Sequence, residues 1–107
     1  MPIVRAFEIS SSHVQEGDMK GLIRHLQTPD SPCPFILAPR GPVDEPYGVF
    51  LKLPDPADLM EHIRAARRQG FSLAFCNVVE AAAARGCAFL ILDGDADVDP
   101  SLPTHSW

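Results

Sequence analysis

Four alternating aspartates at residues 93–99 are the side chains of this chain best placed to do chemistry. They are Asp93, Asp95, Asp97 and Asp99. Carboxylate oxygens are the ligands that Mg²⁺ and Ca²⁺ prefer in proteins. The segment starts like an EF-hand calcium loop, but Val98 and Thr104 stand where that loop needs glycine and glutamate. The EF-hand match therefore fails. Two interpretations stay open: a metal site, or a solvated acidic turn in which Asp93 binds backbone amides.

A histidine preceded by three serines is the second candidate group. Ser10, Ser11 and Ser12 stand directly before His13, between a predicted strand and a predicted helix. A serine and a histidine at a helix start could share a pocket whose backbone amides bind an anion. The Gly-x-Ser-x-Gly sequence of a nucleophile elbow is absent, and adjacent residues do not make a catalytic triad. The plainer interpretation is a helix cap beside a half-buried histidine.

Charge and composition exclude several classes of function. The net charge is −5, and the nine basic residues are scattered rather than gathered into the basic stripe of a nucleic-acid binder. An acidic chain is better suited to contact with a basic protein surface than with nucleic acid, because unlike charges steer association. An odd number of cysteines, three, without Cys-x-x-Cys spacing indicates reduced thiols rather than a disulfide framework or a zinc site. We expect no cofactor.

No part of the sequence resembles a membrane segment or a leader. The apolar runs are far shorter than the ~18 residues that span a bilayer. The first ten residues, MPIVRAFEIS, lack the charged start and long apolar region of a signal peptide. We therefore expect a cytoplasmic protein with no membrane contact.

The first half of the chain predicts strands around one helix. Ser12 and Gln15 have the spacing of a capping box for that helix, which Gly17 and Asp18 weaken in its first turn. Apolar residues recur at helical spacing from Met19 to Leu26, so the helix is predicted to extend to Gln27. The strands are predicted at residues 3–9, at 35–38 as an edge strand or ordered loop between two prolines, and at 47–53.

The second half predicts two helices and a central strand. Asp55-Pro56 is a strong helix start, and Gly70 supplies the left-handed residue that ends that helix. Ser72 caps the next helix, which Gly86 closes. Residues 87–92 are apolar on both faces, as is typical of a strand in the middle of a sheet.

These elements predict a single domain over residues 1–107, of the α/β or α+β class. One mixed sheet of three to four strands packs with three helices, and the last strand is central. The tail ends at Trp107, the only tryptophan, after Leu102-Pro103. Burial of an indole ties down a tail that would otherwise fray, so we expect Trp107 to pack against the fold. The alternative is that Trp107 stays exposed and contacts a partner.

The C-terminal pattern resembles a known family of small bacterial proteins. The residues that carry the resemblance are Gly70-Phe71-Ser72, Ala74-Phe75, Ala83, Gly86-Cys87, Leu90, Leu92-Asp93, Asp95-Ala96 and Leu102-Pro103 followed by Trp107. The pair Ser11 and His13, and the strand start at Tyr47-Gly48, also fit. The family is a domain of unknown function carried largely on plasmids and integrative elements of proteobacteria. The resemblance implies no activity, only the setting of an accessory protein.

Two functions follow as hypotheses. The first is an accessory protein without catalytic activity that binds another protein or a second copy of itself. The second is a small metal-dependent hydrolase or nuclease that uses the Asp93–Asp99 turn and His13. The candidate binding residues are Ser11, His13, Tyr47, Asp93, Asp95 and Trp107. An enzyme requires a concave pocket that joins Asp93, Asp95 and His13, whereas a binding module requires an exposed apolar patch or a dimer contact.

Overall fold

A computed structural model describes residues 3–28 and 33–106, and within them three helices lie against a four-stranded sheet. In chain order the elements are β1 (Ala6–Ser10), α1 (Glu16–Gln27), β2 (Ile36–Arg40), β3 (Gly48–Lys52), α2 (Leu59–Arg68), α3 (Leu73–Ala84) and β4 (Phe89–Asp93). Short 3-10 turns at Ser11–His13 and Pro56–Asp58 precede α1 and α2. None of the helices in the described part is long and apolar enough to cross a membrane.

The last strand is central, as the sequence predicts. The strand order is β1-β4-β3-β2, with β4 parallel to β1 and antiparallel to β3. Leu90 and Leu92 point to the helix side and are fully buried. A strand that pairs on both sides has its backbone groups satisfied without solvent, so its side chains can be apolar throughout. The predicted α+β fold with one mixed sheet is confirmed.

All three helices pack on the same face of the sheet. One cluster of buried side chains joins Leu22 of α1, Ile63 of α2 and Phe75 of α3 to the sheet. The sheet contributes only alternate residues to this cluster, namely Ile9, Val49, Leu51, Leu90 and Leu92. Successive side chains of a strand point to opposite faces. The molecule therefore has two layers, and no described helix covers the second face of the sheet.

The ends of α2 and α3 follow local signals that the sequence displays. Gly70 and Gly86 adopt φ angles of 92° and 72°, in the left-handed region where only glycine is free of strain. The Ser72 side chain accepts a hydrogen bond from the Phe75 amide and caps α3. Asp55 is the N-cap residue of the 3-10 turn Pro56–Asp58, with proline at the start of that turn as the sequence predicts, but its side chain makes no capping hydrogen bond.

The start of α1 differs from the prediction. The N-cap residue is Gln15, and its amide donates to the Asp18 carboxylate at 2.8 Å. Ser12 lies in the preceding 3-10 turn, where its amide donates to the Ser10 hydroxyl. The chain must turn sharply at the end of β1 before α1 can begin, and the serines stabilise that turn. The capping box predicted for Ser12 and Gln15 is therefore wrong, and Asp18 strengthens the first turn that it was expected to weaken.

Candidate functional site

The described candidate residues all gather at one edge of the sheet. Parallel strands β1 and β4 end there, and β3 begins there, with Ser10, Asp93 and Gly48 in register. Ser11 and His13 follow β1, Asp95 follows β4, and Tyr47 precedes β3. The carboxyl ends of parallel strands are where ligands commonly bind. Trp107 lies outside the described residues.

His13 is a structural residue at this edge rather than an accessible base. Its side chain is only 1% exposed. The Nε2 atom accepts a hydrogen bond from the Asp99 amide at 2.9 Å, so Nε2 carries no proton. The other nitrogen, Nδ1, then donates to the Pro103 carbonyl at 2.7 Å. Both nitrogens of the neutral ring are thereby used to hold the chain that follows β4.

This C-terminal segment, residues 94–106, is fixed to the end of β1 by two further backbone bonds. The Ser10 amide donates to the Asp97 carbonyl at 3.0 Å, and the His105 amide donates to the Ser12 carbonyl at 2.8 Å. Leu102 adds an apolar contact with the core cluster. The segment therefore runs along the outer side of Ser10, at the end of the first strand, and of the 3-10 turn that follows it.

Two of the four aspartates, Asp93 and Asp99, accept hydrogen bonds within the acidic turn and the residues that follow it. Asp93 is buried, and its carboxylate accepts the Asp95 amide at 2.8 Å, as the solvated-turn interpretation predicts. Asp99 accepts the Ser101 hydroxyl and the Ser101 amide, which together with nearby Arg85 hold the pKa of the Asp99 carboxyl below its usual value. Among residues 3–28 and 33–106, no three His, Cys, Asp or Glu side chains lie together as a metal site would require.

A shallow cavity of about 220 Å³ lies between the serines and the C-terminal segment. Its lining residues are Ser10, Ser11, Ser12, Gly94 and His105. The Ser10 and Ser12 hydroxyls are 2.9 Å apart and bind each other, and the His105 Nδ1 is 3.2 Å from Nε2 of the Gln15 side chain. Within the described part of the chain, neither hydroxyl bonds to an imidazole. The cavity can accept a small polar group, and neither of these two hydroxyls is paired with a base that would activate it as a nucleophile.

The histidine at this cavity is His105 rather than His13. Its Nε2 atom is buried and has no hydrogen-bond partner among the described residues. The sequence places these two histidines about as far apart as the chain allows. No local pattern could therefore have shown which of them lies beside the serines.

A second cavity, of about 270 Å³, lies at the opposite end of the sheet. Lys52, Asp55, Asp58 and His62 contribute its charged and titratable side chains. His62 Nδ1 donates to the Asp58 carbonyl of its own helix at 2.9 Å. No ion pair joins these four groups in the part of the structure that is described. The cavity therefore has polar groups without the mutual contacts of an acid–base pair.

The uncovered face of the sheet is a feature that the sequence did not single out. We call it the open face, formed by alternate residues of the four strands. Its apolar members are Ala6, Phe89, Ile91, Phe50, Ile36 and Ala38. Ile36 is 69% exposed, whereas Ile91 at the centre is 9% exposed because its neighbours shield it. An apolar strip therefore faces solvent across all four strands.

A chain of ion pairs bounds this strip at the edge where the candidate residues lie. Arg40 on β2 extends across the sheet, with Nε 3.3 Å from the Asp93 carboxylate and Nη1 on the Glu8 carboxylate. Gly48 makes room for it, because a Cβ there would lie 2.7 Å from the Leu92 carbonyl oxygen and 3.3 Å from Arg40 Cβ. The hydrogen bond with Glu8 is the main reason that the pKa of Arg40 is raised. Tyr47 stands beside this edge, over Gly41, and is largely exposed.

Comparison with known proteins gives one match. The family described as "Family of unknown function (DUF5983) C-terminal domain" matches residues 6–107. Neither a curated protein nor a solved structure matches the chain.

Proposed function

The chain belongs to this family of unknown function, and we propose that it is an accessory protein of bacterial mobile elements that acts by binding another protein. The open face supports this role and is the surface we assign to it. Monomeric soluble proteins rarely leave a contiguous apolar strip uncovered, and such strips commonly mark interaction sites. In this protein the strip crosses all four strands, which gives it the extent of a surface for a protein partner.

The polar groups around the strip supply specificity. The ion pairs of Arg40 with Asp93 and with Glu8 bound the strip on one side. The exposed Lys52 lies at the other end of β3. An apolar centre with a polar rim is the usual anatomy of a protein interface. The net charge of −5 favours a partner that is basic overall.

The hydrolase hypothesis receives less support. It requires the Asp93–Asp99 turn and His13 to converge on a cavity. His13 instead points into the fold, with both ring nitrogens bonded to backbone groups of residues 99 and 103. Asp93 and Asp99 accept hydrogen bonds from their own turns. His13, Asp93 and Asp99 are therefore bonded to backbone groups between residues 95 and 103.

Site-specific photo-crosslinking tests the docking surface. We place p-benzoylphenylalanine at Ile36 on the open face and, as a matched control, at Asn77 on the exposed side of α3. In cells that carry the element, we expect an adduct of defined mass from position 36 and none from position 77. The Ala38→Glu variant, which puts a charge into the apolar strip, should abolish the adduct without lowering the melting temperature.

A second step uses the captured protein after purification. Its dissociation constant should rise by about tenfold or more with Ala38→Glu, since an unpaired charge would be desolvated at the interface. Equal adducts from positions 36 and 77, or an affinity that Ala38→Glu does not change, would refute the assigned surface. Adducts made only with the chain itself would point to self-association through the open face instead.

The plasmid setting and the cytoplasmic location are further parts of the proposal, and the sequence resemblance motivates the first. Deletion of the gene from its plasmid should lower transfer or maintenance of that plasmid. Wild-type protein supplied from the chromosome should restore it, and the Ala38→Glu variant should not. Unchanged transfer and maintenance would argue against an accessory role. Recovery of the protein outside the cytoplasmic fraction would argue against the location.

A further inference from the structure

The two outer strands of the sheet, β1 and β2, differ in how well their free backbone sides are protected against pairing with another strand. On β2, the Arg40 carbonyl accepts the Tyr47 amide, so Arg40 faces β3 and its neighbour Pro39 faces outward. Proline has no amide to donate, and an outward proline is a common protection of an edge strand. The β2 edge is therefore blocked near its middle.

The edge formed by β1 has no such protection. The Arg5 carbonyl accepts amides from Ala88 and Phe89, so Arg5 faces β4. Backbone groups alternate along a strand, and Ala6 and Glu8 therefore direct both amide and carbonyl away from the sheet. Ser10 also faces outward, and its amide is bound by the Asp97 carbonyl at 3.0 Å. The C-terminal segment thus covers only the end of the strand and leaves the stretch before it open.

We infer that this stretch of β1 pairs with β1 of a second copy of the chain. The charges at its two ends favour an antiparallel pair. Arg5 is exposed at one end and Asp97 is exposed at the other, and neither side chain forms an ion pair with another described residue. A twofold axis at Ala6 brings each Arg5 toward the end of the edge where the partner's Asp97 lies. A parallel strand would place like charges together.

The resulting dimer is a single continuous sheet. Residues 4, 6 and 8 of the two copies would form about six backbone hydrogen bonds in the antiparallel pattern. Ala6 faces its own counterpart on the axis, where a small side chain allows close approach. The twofold axis is perpendicular to the sheet, so both open faces lie on the same side and form one larger surface. The pairing itself needs no contact from the open face.

Analytical ultracentrifugation over about 1 to 500 µM protein measures this association, a range suited to the weak affinity of a small interface. We expect the wild type to pass from monomer to dimer in this range. Arg5→Asp directs a carboxylate toward the partner's Asp97, and Asp97→Arg directs a guanidinium toward the partner's Arg5, so each variant alone repels its own copy. Each should raise the dissociation constant by about tenfold. In an equal mixture of the two variants, the unlike chains attract each other, and the mixture should dimerise more readily than either variant alone.

Two further variants separate this geometry from alternatives. Arg64→Asp makes the same change of net charge on α2 and should leave dimerisation unchanged. Ala6→Pro removes the central outward amide, which an edge strand tolerates, and should abolish dimerisation while thermal melts show a folded chain. A wild type that stays monomeric at the highest concentration overturns the inference. A dimer that survives Ala6→Pro, or a mixture that dimerises no better than its components, overturns it as well, and sensitivity to Ala38→Glu alone would assign the dimer to the open face.

Discussion

Polar side chains in this protein connect segments that are remote in sequence. His13 joins the turn after β1 to residues 99 and 103, which lie 86 and 90 positions further along the chain. The sequence predicts a helix cap beside a half-buried histidine at this point, and it gives the residue no distant partner. Spacing rules describe neighbours within a turn or two, so they cannot identify a carbonyl that only the folded chain brings near.

Replacement of His13 by alanine should therefore lower the free energy of unfolding by about 2–4 kcal/mol. The variant leaves the Asp99 amide and the Pro103 carbonyl without their partner and opens a cavity in a fully buried place. Urea denaturation measures the loss, and hydrogen exchange should show earlier opening in residues 97–105. His62→Ala is the control, since the hydrogen bond of that ring goes to the Asp58 carbonyl four residues earlier and does not join remote segments. A His13→Ala variant as stable as the His62→Ala variant would contradict a structural role.

At the scale of the elements, Asp18 couples the starts of two helices. Its carboxylate is 3% exposed and accepts the Gln15 amide at the start of α1 and the Ser72 amide at the start of α3, each at 2.8 Å. The Ser72 hydroxyl donates to the same carboxylate and accepts the Phe75 amide. A negative charge near two helix N-termini is favoured by both helix dipoles.

A double-mutant cycle on Asp18 and Ser72 measures this coupling. Asp18→Asn should cost about 2–3 kcal/mol, because the buried amides lose a charged acceptor, and Ser72→Ala about 1 kcal/mol as a lost cap. The double variant should be less destabilised than the sum by about 1 kcal/mol, since the two side chains share a hydrogen bond. Chemical denaturation of the four proteins provides the values. Strict additivity would show that the two caps act separately.

The sequence predicts those elements whose signals are local. The φ angles of Gly70 and Gly86 and the cap at Ser72 follow from residue types that suit one conformation. The position of β4 follows from an apolar run that only the middle of a sheet accommodates. The prediction for Ser12 failed because a tight turn competes with a capping box for the same serine. Nothing in the local sequence shows whether this serine stabilises a tight turn or caps a helix.

The site at the sheet edge depends on strand order, which local patterns do not determine. Arg40 meets Glu8 although β2 and β1 are the outer strands of β1-β4-β3-β2, because both side chains lie on the same face of the sheet and Gly48 has no side chain between them. The sequence predicts Asp93 just after a central strand, whereas it is the last residue of that strand, β4; its predicted role in stabilising the following turn agrees with the structure. The sequence could not show that Ser11, Tyr47 and Asp95 share that edge. That requires the register of all the strands.

At the scale of the whole molecule, one face of the sheet belongs to the core and the other does not. Helix-facing and open-face residues alternate along each strand, so adjacent positions should respond oppositely to the same substitution. Leu51 on β3 is fully buried against the helices, whereas Ile36, on the neighbouring strand β2, is 69% exposed on the open face. The two residues have similar volume and β2 pairs with β3, so they form a matched test of the two-layer fold.

Lysine at these two positions should give opposite results. Leu51→Lys buries an ammonium group among apolar side chains and removes their packing, a cost of several kcal/mol that approaches the total stability of a domain of this size. Ile36→Lys places the charge in water and should change the free energy of unfolding by less than about 1 kcal/mol, because surface substitutions are usually mild. Circular dichroism and thermal melts distinguish a folded Ile36→Lys protein from an unfolded Leu51→Lys protein. If Ile36→Lys unfolds the chain as Leu51→Lys does, the open face is part of the core, and a further layer must cover it in the isolated molecule.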